Sequence, residues 1–449
     1  MNSYSLIVRN GTLVTPSDRR EVDIGIADGR FAAIVPRGEL QLPGDEVFDA
    51  SGLHIVAGLI DGHVHFREPG LDHEETWLTG TRAAVMGGVT TVLDMPNTIP
   101  PTDTAERARS KLELAGAYSY CDFGLFGLIG PSVEPLARLV ESDLVVGLKV
   151  FLGPTTGGLS APGDEDLRRA LVIARDAGLR VAFHAEDRSI VEAEERRLRS
   201  AGRTDPLAHL ESRPVVAEVA AIDRAGALLE ETQAAGHVLH VSSRDGIEAI
   251  GRWMGRADIT CEVTPHHALL SRDAYQSGLA RVNPPIRGEP HSAALLAALV
   301  EGQIDFVASD HAPHLVGDKG RASIWDVPSG FAGVETLLPL LLTHAVDFAG
   351  MSLEQLTNVT SLAPARTWRL ARKGFVRIGF DADLTVIDLK RDGVIRAAEL
   401  HGKNNVTPFE GRPTRGAPLA TIVRGRVVMR EGELLVEPGW GRAVTRRSS

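Results

Sequence analysis

His63 and His65 stand two residues apart in GHVHFREPG, and Arg67 follows two residues later. Alternate residues of a strand point to the same face, so both imidazoles can reach one metal ion while the strand's end brings a guanidinium alongside. This pattern points to metal chemistry beside an anion clamp. A lone pair of histidines so spaced would be solvated or paired with carboxylates. These two are not alone. Lys149 in GLKVFL, His184 in VAFHAED, His240 in VLHVSS, and Asp310 and His314 in SDHAPH also close apolar runs. For Arg67 taken singly, a surface ion pair with Glu68 or Glu74 is the competing reading. The forked donors of an arginine suit a carboxylate, and Asn97 in MPNT ends another apolar run.

The elements that must position these residues are eight strand-like apolar runs, at 58–66, 89–95, 123–130, 145–152, 180–186, 237–243, 259–267 and 305–314, each followed by a helical pattern. Alternation of this kind predicts a parallel sheet, and eight such units predict a (β/α)₈ TIM barrel over 57–374. Chemistry in such barrels sits at the C-terminal ends of the strands. His63, His65, Lys149, His184, His240, Asp310 and His314 all fall there. His237 precedes His240 by three, so on a continuous strand only one of them looks inward, and His237 is expected to be structural. The two chain ends carry short alternating strands with Asn-Gly and Asp-Gly turns. They predict a small β-sandwich domain built from 1–56 plus 375–449.

Composition sets bounds on function. The chain has 449 residues, 43% of them hydrophobic, enough to bury a large core, and a formal net charge of −11. That charge argues against nucleic-acid binding, which needs clustered Lys and Arg. The basic pairs Arg196 with Arg197 and Arg446 with Arg447 read as a solvated helix face and a chain end. Cys121 and Cys261 cannot form a disulfide framework and read as reduced core residues, which favours the cytoplasm. No signal peptide is expected from MNSYSLIVRNGTLV. No membrane span is expected either: the most apolar helical window, 334–349, contains Glu335, Pro339, His344 and Asp347 and reads as a buried helix packed on the barrel.

Through nearly its whole length the chain resembles the amidohydrolase superfamily, within it the cyclic amidohydrolases, and most closely the long, type I dihydroorotases. The resemblance implies two Zn²⁺ ions: His63, His65 and Asp310 on the first, His184 and His240 on the second. Lys149 matches the lysine that reacts with carbon dioxide to give a carbamate bridging both. An ammonium would be repelled by two divalent cations, whereas a carbamate supplies a bidentate anion. Type I dihydroorotases of many bacteria use an aspartate there, so Lys149 points to the lysine-bearing branch or to allantoinases and hydantoinases. Asp310 is the expected general acid/base, taking a proton from the attacking water and returning it to the leaving ring nitrogen. Arg67, Asn97, Asn283 in RVNPPIR and His314 match contacts to the substrate's carboxylate and ring. The stretch PSGFAGVE, 328–335, resembles backbone that hydrogen-bonds the ring amide, and its glycines permit close approach. The Gly- and Thr-rich segment 153–164 suits a loop able to close over the pocket. His266, His267 and His311 lie near strand ends but outside the ligand pattern.

What this implies is reversible hydrolysis of dihydroorotate to N-carbamoyl-L-aspartate in pyrimidine biosynthesis. The alternatives are an allantoinase, a hydantoinase or a dihydropyrimidinase-like enzyme acting on another small cyclic amide. Retention of all six ligand positions disfavours a silent structural homologue, and Lys149 with Arg67 disfavours a deaminase on the same barrel. Family members often form homo-oligomers, so a dimer or tetramer fits.

Overall fold

The computed structural model describes residues 3–41, 43–155, 159, 162–273 and 277–446. Among them, the apolar runs form eight parallel strands: Leu59–Val64, Val89–Asp94, Asp122–Leu128, Gly147–Phe151, Arg180–His184, Ala235–Val238, Asp258–Val263 and Phe306–Val307. Each pairs with its sequence neighbour. The eighth meets the first just past its end, through a parallel bridge between Val64 and His311 and a hydrogen bond from His65 N to the His311 carbonyl at 2.7 Å. Sheet curvature thus closes into the predicted TIM barrel. Strands covered on both faces carry continuous apolar sequence, which is why they lack period-two alternation.

Helices alternate with the strands around the outside. Several begin at a side-chain cap, as with Thr76 before Trp77–Met86, Thr104 before Ala105–Tyr118 and Ser243 before Arg244–Trp253. The barrel interior is filled by Ile60, Leu93, Phe126, Leu239, Phe306 and Trp368. The polar rim therefore stands on an apolar plug rather than over a pore. The window expected as a buried helix becomes a short α-helix, Leu337–Leu340, continued by a π-helical stretch, Leu341–Phe348, whose Leu341, Leu342 and Ala345 are buried.

The chain ends join in one nine-stranded, mostly antiparallel sheet that runs from Tyr4–Val14 to Glu433–Leu434 and folds around its own apolar core. Lys373 fastens it to the barrel. Its ammonium lies 2.5 Å from Asp122 at the start of the third barrel strand and 2.6 Å from Asp383 beside the sheet. No helix among the described residues is long and apolar enough to cross a membrane.

A second buried ion pair braces the rim. Lys111, on Ala105–Tyr118, reaches Asp94 at 2.5 Å, with the side chains 2% and 0% exposed. The other oxygen of Asp94 accepts from Phe66 N at 2.7 Å, between His65 and Arg67. Lys111→Met would strand this carboxylate in the interior. The expected loss is about 3–5 kcal/mol of unfolding free energy. Urea titration checks this, and a loss below about 1 kcal/mol would show the pair to be incidental.

Candidate metal centre and substrate cleft

Backbone geometry at the strand ends turns the side chains into one cleft. Arg67, His240 and Asp310 adopt left-handed φ values of 64°, 38° and 48°. Such conformations cost on the order of 1–3 kcal/mol each for non-glycine residues and persist where the surroundings enforce them. His240 lies past the end of its strand at Val238, so the alternation rule does not govern it. His237 and His240 both face the barrel interior, which corrects the expectation that only one could. His237 stacks on Phe306 at 4.7 Å between centroids, and its Nε2 faces Glu262 at 3.2 Å.

Six candidate ligands meet in a narrow cleft that is also lined by Arg67, Asn97, Asn283 and Ser329. His63 Nε2 and His65 Nε2 each lie 3.2 Å from the same oxygen of Asp310. His184 Nδ1 and His240 Nε2 face each other at 3.1 Å. Among the described residues, His63, His240 and Asp310 place donor atoms within 4.8 Å of one another, close enough to share an ion. Lys149 lies in the same cleft, its Nζ 4.5 Å above the Phe151 ring.

The outer partners of three histidines fit them to a cation. His63 Nδ1 faces Glu262 at 2.6 Å, His65 Nδ1 faces the Asn97 side-chain oxygen at 2.7 Å, and His184 Nε2 faces Glu186 at 3.0 Å. Each oxygen accepts the ring N–H there and leaves the lone pair on the nitrogen pointing inward, the arrangement that metal-ligating histidines need. Burial keeps these rings neutral, pushing His63 and His240 well below the ordinary imidazole range and lowering His65 and His184. Burial opposes ionisation of Asp310, and its carboxyl falls well below the usual range only through His63, His65 and His240 in their protonated form, so with the rings neutral it is a bound cation that would keep it a carboxylate. Burial also pushes Lys149 down to about 7 against the pull of Asp310 and Glu262. A lysine with much of its amine neutral can react with carbon dioxide.

Arg67 is 2% exposed and already engaged. Its Nε faces Glu74 at 3.2 Å and its Nη2 faces His314 Nε2 at 3.1 Å. His314 in turn donates from Nδ1 to Glu74 at 2.8 Å, and burial with Arg67 lowers its pKa to about 4. The ion pair weighed against the clamp in the sequence therefore forms with Glu74, in the interior and not on the surface. Glu68 is occupied elsewhere, accepting from Trp77 N at 2.9 Å. Asn283 accepts from the Ser329 hydroxyl at 3.2 Å. Of the loop 153–164, residues 156–158, 160 and 161 lie outside the described residues, and Thr155 lines the cleft.

Sequence reasoning missed Glu262. It is fully buried on Asp258–Val263, touches His63 and His237, and receives His240 N at 3.4 Å. An acid inside an apolar strand, DITCEV, is the signal that could have exposed it. Glu262→Gln keeps the shape but weakens the hold on His63. Metal affinity is expected to fall about 10- to 100-fold, read by competition with a chromogenic chelator. Unchanged affinity would reduce Glu262 to packing.

The profile of the amidohydrolase family matches residues 54–428. A dihydroorotase of Methanothermobacter thermautotrophicus is 38% identical over 418 residues, 92% of this chain and 92% of the relative. An allantoinase of Rubrobacter xylanophilus is 37% identical over 98% of this chain and 97% of its own. Among solved structures, the L-hydantoinase (dihydropyrimidinase) of Arthrobacter aurescens superposes with a TM-score of 0.95 at 33% identity, covering 99% of this chain and 100% of that one.

Proposed function

The chain belongs to the amidohydrolase family, and from that premise we propose that it opens the ring of a carboxylate-bearing cyclic amide, dihydroorotate, to N-carbamoyl-L-aspartate, and closes it again, in pyrimidine biosynthesis. The observation that carries this reading is the single cleft in which Arg67, Asn97 and Asn283 adjoin His63, His65, Lys149, His184, His240 and Asp310. His314 stands directly behind Arg67. The nitrogen and oxygen donors of His63, His65, His184, His240 and Asp310 would suit two Zn²⁺ ions, and Lys149 as a carbamate would add anionic oxygen donors to them. Ions bound there would polarise the amide carbonyl and lower the pKa of a water toward neutrality.

The remaining work falls to the chain's own side chains. Asp310, whose oxygen lies 3.2 Å from both His63 Nε2 and His65 Nε2, accepts the proton of the attacking water and delivers it to the departing ring nitrogen. Arg67 meets the ring carboxylate, and the neutral His314 ring holds the guanidinium by accepting from Nη2. Asn97, whose oxygen is committed to His65, keeps its amide N–H groups for substrate. Gly330 and the main chain around 328–331 would approach the flat face of the ring.

A second reading has its own observation. Because Glu74 already partners Arg67, a ring without a carboxylate would enter without displacing anything, as an allantoinase or hydantoinase substrate would. Reconstitution tests the metal half of the proposal. Protein stripped by chelator should be inactive and should regain turnover with zinc plus bicarbonate, binding two equivalents of zinc and showing a carbamate signal by ¹³C NMR from labelled bicarbonate. Full activity of the stripped protein would contradict it.

A further inference from the structure

Lys319 is a buried lysine whose three hydrogen-bond acceptors among the described residues are all main-chain oxygens: Arg281 O at 3.1 Å, Pro328 O at 3.0 Å and Gly330 O at 2.9 Å. It is 1% exposed, and burial together with the cations Arg281 and Arg67 pushes its pKa well below the ordinary lysine range, so that the carbonyls are what favours its charged form. Three carbonyls match the three N–H donors of an ammonium, a demand that a neutral amine with two donors cannot meet. Satisfying every donor offsets part of the cost of burying an ammonium. The arrangement is therefore specific.

The segments it joins are two walls of the cleft. One contributes Asn283 and the other Ser329 and Gly330. Gly330 N also donates to the Arg281 carbonyl at 2.9 Å. Gly330 itself has φ +125°, and a Cβ there would come within 2.4 Å of the Ala312 carbonyl, so the wall has no slack on that side. Lys319 closes Val316–Lys319, the short helix directly after His314. It thus ties together three segments that surround the ring without lining the cleft itself.

We infer that Lys319 is a positioning residue that sets the spacing of the ring-binding walls by clamping the carbonyls of Arg281, Pro328 and Gly330. The inference rests on the reading of this cleft as the site of cyclic-amide hydrolysis. Lys319 acts on substrate fit and not on bond cleavage, because the Asp310 side of the cleft is held by other partners. Removing the clamp weakens ring binding in ground and transition states alike, which appears in KM.

The test is steady-state kinetics of zinc-replete Lys319→Met and Lys319→Gln on the ring that the wild type turns over best. Both should raise KM by roughly tenfold or more with kcat within about threefold, at wild-type zinc content. A merely structural lysine would give the opposite split, a loss of active enzyme that lowers apparent kcat at constant KM. Where Lys319→Met fails to fold, Lys319→Gln, which retains two donors, decides. KM within about twofold of wild type in the folded variant overturns the inference. Wild-type protein inactive on every ring would instead overturn the functional reading on which it rests.

Discussion

Asp310→Ala is expected to cut kcat by about 10²- to 10⁴-fold, the range that a positioned general acid/base contributes, while the barrel remains folded. In the proposed reaction both proton transfers run through this carboxylate, and no second carboxylate among the six clustered residues could replace it. His63, His65, Lys149, His184 and His240 remain to hold metal, so zinc content should fall far less than turnover. Asp310→Asn separates the roles further, since an amide oxygen can still ligate but cannot accept the proton. Rates measured at matched zinc occupancy give the answer. Activity above about one tenth of wild type in either variant would remove Asp310 from the proton path.

Arg67→Met is expected to lower kcat/KM for dihydroorotate by about 10²-fold, the scale seen when one partner of a buried hydrogen-bonded charge pair is lost. Dihydrouracil, which lacks the carboxylate, should change by less than about threefold. The substitution also strands Glu74 beside His314, at a stability cost that Glu74→Gln should restore in the double variant. Comparing single and double variants on both rings separates recognition from stability. Equal activity of Arg67→Met on dihydroorotate would refute the clamp.

Much of this site was legible in the sequence because a barrel strand buried on both faces has a simple signature, an apolar run that stops at a polar residue. His63, Lys149 and His184 lie on strands where those runs placed them. The eighth run was harder: only Phe306–Val307 is strand, and beyond it the backbone turns left-handed at Asp310. Apolar spacing carries no record of such a departure. The same limit misjudged His237, because alternation holds only while the strand continues and this one ends at Val238.

Partners drawn from other strands were out of reach. Glu262 serves His63 from 199 residues away, and Glu74 occupies Arg67 through a fold of the intervening loop. Spacing along the chain identifies which residues share a rim, but not which neighbour fixes a ring's tautomer or balances a buried charge. Lys319 had no sequence signal, since its acceptors are main-chain oxygens that any residue provides.

The most direct measurement is turnover of the zinc-loaded protein on dihydroorotate beside allantoin, hydantoin and dihydrouracil, with Arg67→Met run in parallel. Recognition of a ring carboxylate by Arg67 requires a strong preference for dihydroorotate that collapses in the variant. Turnover confined to rings without a carboxylate, and indifferent to Arg67, would contradict it.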